Sequence, residues 1–311
     1  MQAAKPRIPL SLVTGFLGSG KTTLLTQVAR RYHDRRLVYL INEFAPADVD
    51  GRILDVDRDT LVTVAGGSIF CQCKVTEFMG RLKQIHERSS VSTEPIEGVV
   101  IEASGIADPK VFGQLLEETR FDQIFQLCLV LAVVDPGTFG KLRHTLPNIT
   151  AQIEAADRVL INKTDLFSPA AITETRNELR AINPAIVVTE TQYGRFDFDI
   201  FTPALPRHLI GQYAGCADPN YAVMELAYTR PMDIERLRSE LSALQNNIYR
   251  IKGFVPATKG YAYIDATPSG VNVRTMPKIQ IEPVLVFIVP PEHTPTAATL
   301  RTRIARGDFD L

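Results

Sequence analysis

Gly15-Phe16-Leu17-Gly18-Ser19-Gly20-Lys21-Thr22 fits the pattern G-x-x-x-x-G-K-[ST], which is typical of phosphate-binding loops. An apolar run at residues 8–13 precedes it, as a buried strand would, and residues 23–29 follow with apolar side chains at helical spacing. Glycines in such a loop let backbone N–H groups turn toward a polyanion, and the N-terminus of the next helix adds its positive dipole end. The stretch therefore predicts a strand–loop–helix that binds nucleotide phosphates, and its alternative is an incidental glycine-rich turn.

The side chains of this loop have separate expected roles. Lys21 is expected to reach the β- and γ-phosphates of a nucleotide and to act in catalysis, and the Thr22 hydroxyl is expected to bind Mg²⁺. The predicted nucleotide contacts come from Gly15, Gly18, Ser19, Gly20, Lys21, Thr22 and Thr23.

Composition places the chain among ordinary globular proteins. Of its 311 residues, 45% are hydrophobic and 22% charged, and the net charge of −1 gives no bulk attraction to nucleic acid or to an anionic membrane. No apolar run approaches the ~18 residues of a membrane-spanning helix, and residues 1–7 lack the features of a signal peptide. Four cysteines are too few for a disulfide framework in a chain of this length. We therefore expect a cytoplasmic protein with neither a nucleic-acid nor a membrane partner.

Acidic side chains follow a second apolar run, residues 37–41. Glu43, Asp48 and Asp50 collect there, and the carboxyl end of a strand is the ligand-facing edge of an open α/β sheet. Glu43 and Asp50 are therefore candidates for the catalytic group that positions water at the γ-phosphate. The alternative is that these carboxylates are solvated loop residues.

Another carboxylate, Glu102, ends the apolar run at residues 98–102 and precedes a turn containing Gly105. An acid at a strand tip, about 80 residues after a phosphate loop, is typical of a Walker B element. We expect Glu102 to hold Mg²⁺ together with Thr22, directly or through water. Gly105 is placed to let a backbone N–H approach the γ-phosphate.

The order Asn162-Lys163-Thr164-Asp165 after an apolar strand is specific for guanine among phosphate-loop proteins. The Asp165 carboxylate would accept hydrogen bonds from N1–H and the exocyclic amino group of guanine, whereas adenine lacks that pair of donors. A buried acid left without partners is costly, so the pair discriminates between bases. Asn162 and Lys163 would brace the loop and lie against the base, and residues 192–194 are candidates to back it. The sequence therefore predicts GTP and GDP as ligands.

Two thiols, Cys71 and Cys73, lie one residue apart in a glycine-rich loop. They are candidate ligands for zinc or another divalent transition metal, and further ligands would have to come from His86, a carboxylate, a second chain or water. The alternative is two reduced cysteines without metal. Cys128 lies within an apolar strand and is expected to be a core thiol.

The sequence divides into two domains with a change of pattern between them. Residues 1–205 are predicted to form an α/β, mostly parallel sheet flanked by helices. Residues 206–219 form a proline-bearing linker, and residues 220–311 a smaller α+β domain. Nothing in the second domain indicates catalysis. Its basic residues Arg250, Lys252 and Lys259 are expected to form a solvated face.

Several of these motifs together resemble the CobW (cobalamin-synthesis W) family, the metal-chaperone GTPases grouped with the urease and hydrogenase nickel-insertion GTPases. The resemblance covers nearly the whole chain. It implies slow GTP hydrolysis coupled to delivery of a divalent metal, of the zinc or cobalt class, to a client metalloprotein. The motifs are the phosphate loop, Asn42-Glu43-Phe44, Ile101-Glu102-x-Ser104-Gly105, Asn162-Lys163-x-Asp165 and Arg250-x-Lys252-Gly253-Phe254.

The chain departs from the family pattern at its metal motif. The usual Cys-x-Cys-Cys has no intact copy: Cys71-Gln72-Cys73-Lys74 ends in lysine, the alternative alignment Ser68-Ile69-Phe70-Cys71 keeps one cysteine, and a histidine-rich tract is absent. A two-thiolate site would need ligands from a client or from a second copy of the chain, which makes a homodimer a candidate assembly. The alternative function is a regulatory or assembly GTPase that acts on a client without carrying metal. A phosphoryl transferase ranks third because no acceptor pocket is evident.

Overall fold

The apolar runs of the first two hundred residues become neighbouring strands of one sheet. In the computed structural model this sheet has seven strands in the order β3-β2-β4-β1-β5-β6-β7, and all pairings are parallel. The strands are Ile8–Thr14 (β1), Leu37–Glu43 (β2), Leu61–Ala65 (β3), Gly98–Glu102 (β4), Phe125–Val134 (β5), Arg158–Ile161 (β6) and Val187–Glu190 (β7). The structure describes residues 6–43, 60–65, 68–70, 74–204, 211, 221–276 and 283–310.

Helices cover both faces of this sheet, which explains why its strands are apolar on both sides. Strand β1 alternates between two cores: Leu10 and Leu12 enter one, and Val13 enters the other. The helices of this unit are Lys21–Arg31 (α1), Val75–Val91 (α2), Lys110–Glu118 (α3), Pro136–Leu142 (α4), Pro147–Ala155 (α5) and Pro169–Ile182 (α6). Side chains of α2 and α3 pack in the first core, and those of α1 pack in the second.

A second compact unit follows, described over residues 221–276 and 283–310. Its antiparallel sheet has the order β11-β10-β9-β12-β8, and its core contains side chains of both helices. The elements are Ala222–Ala227 (β8), Ile234–Ala243 (α7), Arg250–Pro256 (β9), Tyr261–Thr267 (β10), Gly270–Met276 (β11), Val284–Val289 (β12) and Thr294–Arg306 (α8). The predicted fold class, a parallel phosphate-loop sheet with a smaller α+β unit, is confirmed.

Helix α4, helix α3 and strand β11 differ in how strongly their residues favour them. Helix α4 has only seven residues and contains two glycines, which lowers its helix propensity. Helix α3 buries four apolar side chains at helical spacing. Strand β11 alternates, with Val271 and Val273 against the core of the second unit, and a tight turn joins it to β10.

The expectation of a solvated basic face on the second unit is wrong for two of its three residues. The Arg250 guanidinium donates from Nε and Nη2 to the two carboxylate oxygens of Asp265, both at 2.9 Å. Lys252 is only 5% exposed and lies opposite Asp265 in the β9–β10 register. Lys259 is exposed. The Arg250 guanidinium is therefore paired and partly buried, and Lys252 is buried in the sheet.

None of the helices in the described segments combines the length and the apolar character needed to cross a membrane.

Gly253 gives a test of this sheet, because a Cβ there would lie 1.8 Å from the Val284 carbonyl oxygen and φ is +151°. We predict that Gly253→Ala lowers the free energy of unfolding of the second unit by about 3 kcal/mol, from backbone strain and overpacking together. The control is Gly270→Ala, which has the same φ but open space around the new Cβ, and it should cost about 1 kcal/mol. Urea-dependent hydrogen exchange of the β9 and β12 amides measures both. If Gly253→Ala and Gly270→Ala lower the free energy of unfolding equally, the close approach of β9 and β12 at Gly253 is contradicted.

Candidate functional site

The loop between β1 and α1 is built so that only glycine fits at two of its positions. Gly15 has φ +134°, and a Cβ there would lie 2.2 Å from the carbonyl oxygen of Val133. Gly20 has φ +109°, and its Cβ would lie 2.2 Å from Nδ2 of Asn162. The backbone therefore turns tightly between β5 on one side and the end of β6 on the other.

Lys21, the first residue of α1, turns its ammonium group back into the loop. Its Nζ donates to the carbonyl oxygens of Gly15 at 2.8 Å and Phe16 at 3.4 Å, and the residue is 5% exposed. A cation thus sits beside the N–H groups of a helix N-terminus, an arrangement that attracts anions. Thr22 and Thr23 follow in the first turn of the helix.

Ser19 tests whether a phosphate group suits this loop. Ser19 is only 2% exposed, and its buried hydroxyl oxygen has no hydrogen-bond partner among the described residues. A buried hydroxyl without a partner costs free energy, and a phosphate oxygen is an acceptor that would satisfy it. The glycine cradle, the buried lysine and this hydroxyl together fit a phosphate ligand.

Glu102 lies at the tip of β4, next to the same loop. It pairs in register with Val13 of β1 and Ile41 of β2 and is 5% exposed. Three residues later, a Cβ on Gly105 would lie 2.6 Å from the backbone nitrogen of Leu17. The turn after β4 therefore packs directly on the phosphate loop, and only glycine permits this approach.

Two amide side chains of α5 hold this turn from its other side. Gln152 Nε2 donates to the carbonyl oxygens of Gly105 at 3.0 Å and Ala107 at 3.3 Å. Asn148 Nδ2 donates to the carbonyl oxygen of Ile106 at 2.6 Å. Beyond the turn, burial raises the pKa of the Asp108 carboxyl, and the hydrogen bond that it accepts from the Lys110 backbone N–H opposes this rise.

Asn162 joins the phosphate loop to the loop that follows β7. Its Nδ2 donates to the Ser19 carbonyl oxygen at 3.0 Å, and its Oδ1 accepts from the Gly194 N–H at 3.0 Å. Gly194 has φ +65°, and a Cβ there would lie 2.8 Å from the backbone of Leu24 in α1. Tyr193, also in the left-handed region with φ +57°, is 60% exposed beside it.

Lys163 and Asp165 follow Asn162 in a short 3₁₀ turn. Lys163 has φ +60°, and its ammonium pairs with Oδ2 of the buried Asp135 at 2.6 Å. The other oxygen of Asp135 accepts from Gly137 N–H and Thr138 N–H, which caps α4. Asp165 is exposed. Lys163 is thus fixed by an acid from the neighbouring strand, and the carboxylate of Asp165 is accessible to a ligand.

The structure brings two of the predicted motifs together and leaves others outside its description. The phosphate loop and Asn162-Lys163-x-Asp165 are joined through the Asn162–Ser19 hydrogen bond. Asp48, Asp50, Cys71 and Cys73 lie outside the described residues, and Glu43 is described only as the last residue of β2. Within the described segments, no three His, Cys, Asp or Glu side chains group as metal ligands. Cys128 is buried in β5, as expected.

Sequence reasoning missed Asp135, Asn148 and Gln152. A signal existed for Asp135, since Asp followed by Pro after a strand is typical of a helix N-cap with proline in the first turn. None existed for Asn148 and Gln152, because a polar residue on a helix does not reveal a partner more than forty residues away.

Comparison with known proteins assigns this site to a family. The family model described as "CobW/HypB/UreG, nucleotide-binding domain" matches residues 9–190. The chain belongs to this family. The predicted resemblance and the predicted enzyme class, a phosphate-loop GTPase, are confirmed.

Curated relatives of this family member carry names that mention zinc. The zinc chaperone YjiA of Escherichia coli is 27% identical over 84% of each chain. The zinc-regulated GTPase metalloprotein activator 1 of Schizosaccharomyces pombe is 29% identical over 61% of this chain and 47% of its own length. A crystal structure of a Zn(II)-bound triple mutant of the YjiA GTPase shares the fold, with 20% identity, 96% and 100% coverage, and a TM-score of 0.50.

The Asn162 bridge generates a prediction on nucleotide affinity. We expect Asn162→Ala to weaken GDP binding roughly 10- to 100-fold, because it leaves two buried backbone groups without partners and frees the two loops from each other. The measurement is isothermal titration with GDP. The control is Asn183→Ala, which removes two amide hydrogen bonds, to Ile153 and Ala156, at the amino-terminal end of β6. Equal affinities of the two variants would exclude a role for the bridge.

Proposed function

We propose that this chain binds GTP with Mg²⁺, hydrolyses it to GDP and phosphate, and uses the cycle to deliver a divalent metal of the zinc or cobalt class to a client metalloprotein. The observation that supports the nucleotide part is the Asn162 side chain, which is hydrogen-bonded to the phosphate loop and to the loop after β7 and so keeps the guanine motif next to the phosphate loop. We assign this chemistry to residues 1–205 and contact with the client to residues 220–311.

Recognition of the base falls to Asp165. Its exposed carboxylate can accept from both guanine donors, and the turn that presents it is fixed at its ends. Lys163 is held by Asp135, and the Thr164 hydroxyl donates to the Thr191 carbonyl oxygen at 3.0 Å. A positioned carboxylate selects guanine because adenine lacks the matching donors, and the unmatched charge would lose its hydrogen bonds.

Hydrolysis follows from the charges around the phosphate loop. Water attacks the γ-phosphorus, the bond to the β–γ bridging oxygen breaks, and negative charge develops on the β-phosphate of GDP. Lys21, whose Nζ donates to loop carbonyl oxygens in this structure, and the N–H groups at the start of α1 would stabilise that charge in the transition state. Ser19 supplies a further donor. Glu43 and Asp50 stay candidates for positioning the attacking water.

Mg²⁺ suits the oxygen donors predicted for it. Glu102 supplies a buried carboxylate one strand away from the phosphate loop, and Thr22 supplies a hydroxyl in the first turn of α1. These are the hard ligands that this ion prefers. When bound, Mg²⁺ would neutralise charge on the β- and γ-phosphate oxygens.

The metal part of the proposal is supported by the names of the relatives and by Cys71 and Cys73. Both YjiA and the CobW protein of Pseudomonas aeruginosa are named zinc chaperones. Two thiolates can contribute half of a tetrahedral zinc site, and a client or a second copy of the chain would contribute the rest. Zinc is cargo in this scheme and leaves with the client.

A second candidate function is favoured by one observation, the absence of an intact Cys-x-Cys-Cys motif from the sequence. In this function the chain is a regulatory or assembly GTPase. The second unit reports the nucleotide state to a client protein, and no metal is transferred.

Asp165→Asn tests the base assignment with a gain of function. The amide keeps one acceptor but adds a donor, so it matches xanthine, whose 2-oxo group accepts where guanine has an amino group. We expect GTP affinity to fall roughly 10- to 100-fold and XTP affinity to rise above it. Competition between the two nucleotides at the same protein measures this, with wild type as the control. A variant that still prefers GTP would overturn the assignment.

Zinc titration of reduced protein tests the metal part. We expect the Zn²⁺ affinity of wild type to differ about tenfold or more between GDP and a GTP analogue. The double variant Cys71→Ser/Cys73→Ser should lose tight binding, because serine hydroxyls are poor zinc ligands. Cys128→Ser is the matched control, since Cys128 is 2% exposed inside β5. If the double variant and the Cys128→Ser control bind Zn²⁺ with the same affinity, metal delivery through Cys71 and Cys73 is excluded and the regulatory function is retained.

A further inference from the structure

One buried amide, Asn42, ties together the carboxyl ends of three neighbouring strands. Its Oδ1 accepts from the Ile69 N–H at 3.0 Å and from the Ser104 N–H at 3.2 Å, and its Nδ2 donates to the Val64 carbonyl oxygen at 3.3 Å. Asn42 stands in β2, between β3 and β4 in the sheet, and is 6% exposed. The segments that follow β3 and β4 are therefore linked through one oxygen atom.

The Ser104 end of this link reaches the phosphate loop. Ser104 immediately precedes Gly105, which packs on the Leu17 backbone without room for a Cβ. Gln152 holds the Gly105 carbonyl oxygen from the opposite side. A displacement of the Leu17 backbone toward this turn would therefore push the turn, because packed backbone atoms cannot interpenetrate.

At the other end of this link, Ile69 lies two residues before Cys71 in the sequence. Ile69 and Phe70 are fully buried, and the Phe70 ring packs against Phe78 of α2 and Phe112 of α3, with centroids 6.1 Å and 5.7 Å away. Residues 68–70 thus form an anchored segment in the core. Cys71 is the next residue in the sequence.

The chemistry of Oδ1 makes the two ends dependent on each other. An amide oxygen has two lone pairs, and both are used by buried N–H groups that have no access to water. When the turn moves, one of two things happens. Either the hydrogen bond from Ser104 N–H to Oδ1 breaks, or Oδ1 moves with Ser104 and Ile69 moves with Oδ1. Buried donors left without partners are costly, so the concerted movement is favoured.

We infer that Asn42 is the positioning residue that transmits the nucleotide state from the Ser104–Gly105 turn to the segment bearing Cys71 and Cys73. The inference rests on the proposed function, since it names the route by which GTP and GDP set the environment of the two thiols.

The test measures the thiols directly and needs no metal. Wild type is alkylated with N-ethylmaleimide in GDP and in GTPγS, and peptide mass spectrometry gives the rates at Cys71 and Cys73. We expect the ratio of the two rates to differ from 1 in wild type and to fall to about 1 in Asn42→Ala, while GDP affinity stays within about threefold. If Asn42→Ala does not fold, Asn42→Ser replaces it in the same measurement, because the serine side chain is too short to reach both N–H groups.

Two further variants separate transmission from a structural role. Asn42→Asp keeps an oxygen for both N–H groups but cannot donate to Val64, so it should retain most of the wild-type ratio. Asn183→Ala loses two amide hydrogen bonds elsewhere and should keep the ratio unchanged. A purely structural Asn42 would lower the melting temperature in the alanine variant but leave the ratio as in wild type.

The outcomes distinguish this inference from the metal proposal. A wild-type ratio of 1, or a ratio that survives in Asn42→Ala, overturns the inference whatever zinc titration shows. A ratio that Asn42→Ala abolishes supports it, even if wild type binds no zinc and the metal proposal fails. Where zinc does bind, linkage requires that its effect on GTPγS affinity vanish in the same variant.

Discussion

The hydrogen bonds of the Asn162 amide set the distance between the phosphate loop and the loop after β7, and the candidate nucleotide site depends on that distance. One end holds the Ser19 carbonyl of the phosphate loop, and the other holds the Gly194 N–H of the loop after β7. Gly20 has no Cβ because the Asn162 side chain occupies that space. The phosphate loop and the loop after β7, the two sides of the candidate site, are therefore held by an amide that directly follows β6, and β6 is fixed by its parallel neighbours β5 and β7.

Local motifs made most of the candidate nucleotide site predictable. The phosphate loop and Asn162-Lys163-x-Asp165 each place their functional atoms within a few consecutive residues, so residue type and spacing suffice. Support from distant elements was not predictable in this way. Gln152 binds a carbonyl 47 residues away, and Lys163 pairs with an acid 28 residues away. Such pairs arise from the strand order and the packing of helices on the sheet.

The second unit illustrates the same limit for charged residues. Taken singly, Arg250 and Lys252 are basic residues on an alternating strand, which favours a solvated face. Asp265 changes their environment only because the β9–β10 register places it opposite Lys252 and within reach of Arg250. Gly253, the residue after Lys252, has its own cause, the close approach of the Val284 carbonyl from β12. Strand register, which sequence pattern leaves open, decides all three: the β9–β10 register for the two basic residues and the β9–β12 register for Gly253.

The turn at Gly105 has a mechanical consequence. Its backbone is wedged between the Leu17 amide on one side and the Gln152 side chain on the other. A methyl group at residue 105 would act as a spacer and hold the turn away from the phosphate loop in every nucleotide state. In the proposed transmission route, nucleotide would still bind, but its state would no longer reach the segments beyond the turn. The proposed response to nucleotide thus depends on the absence of a side chain at Gly105 as much as on the side chains that are present.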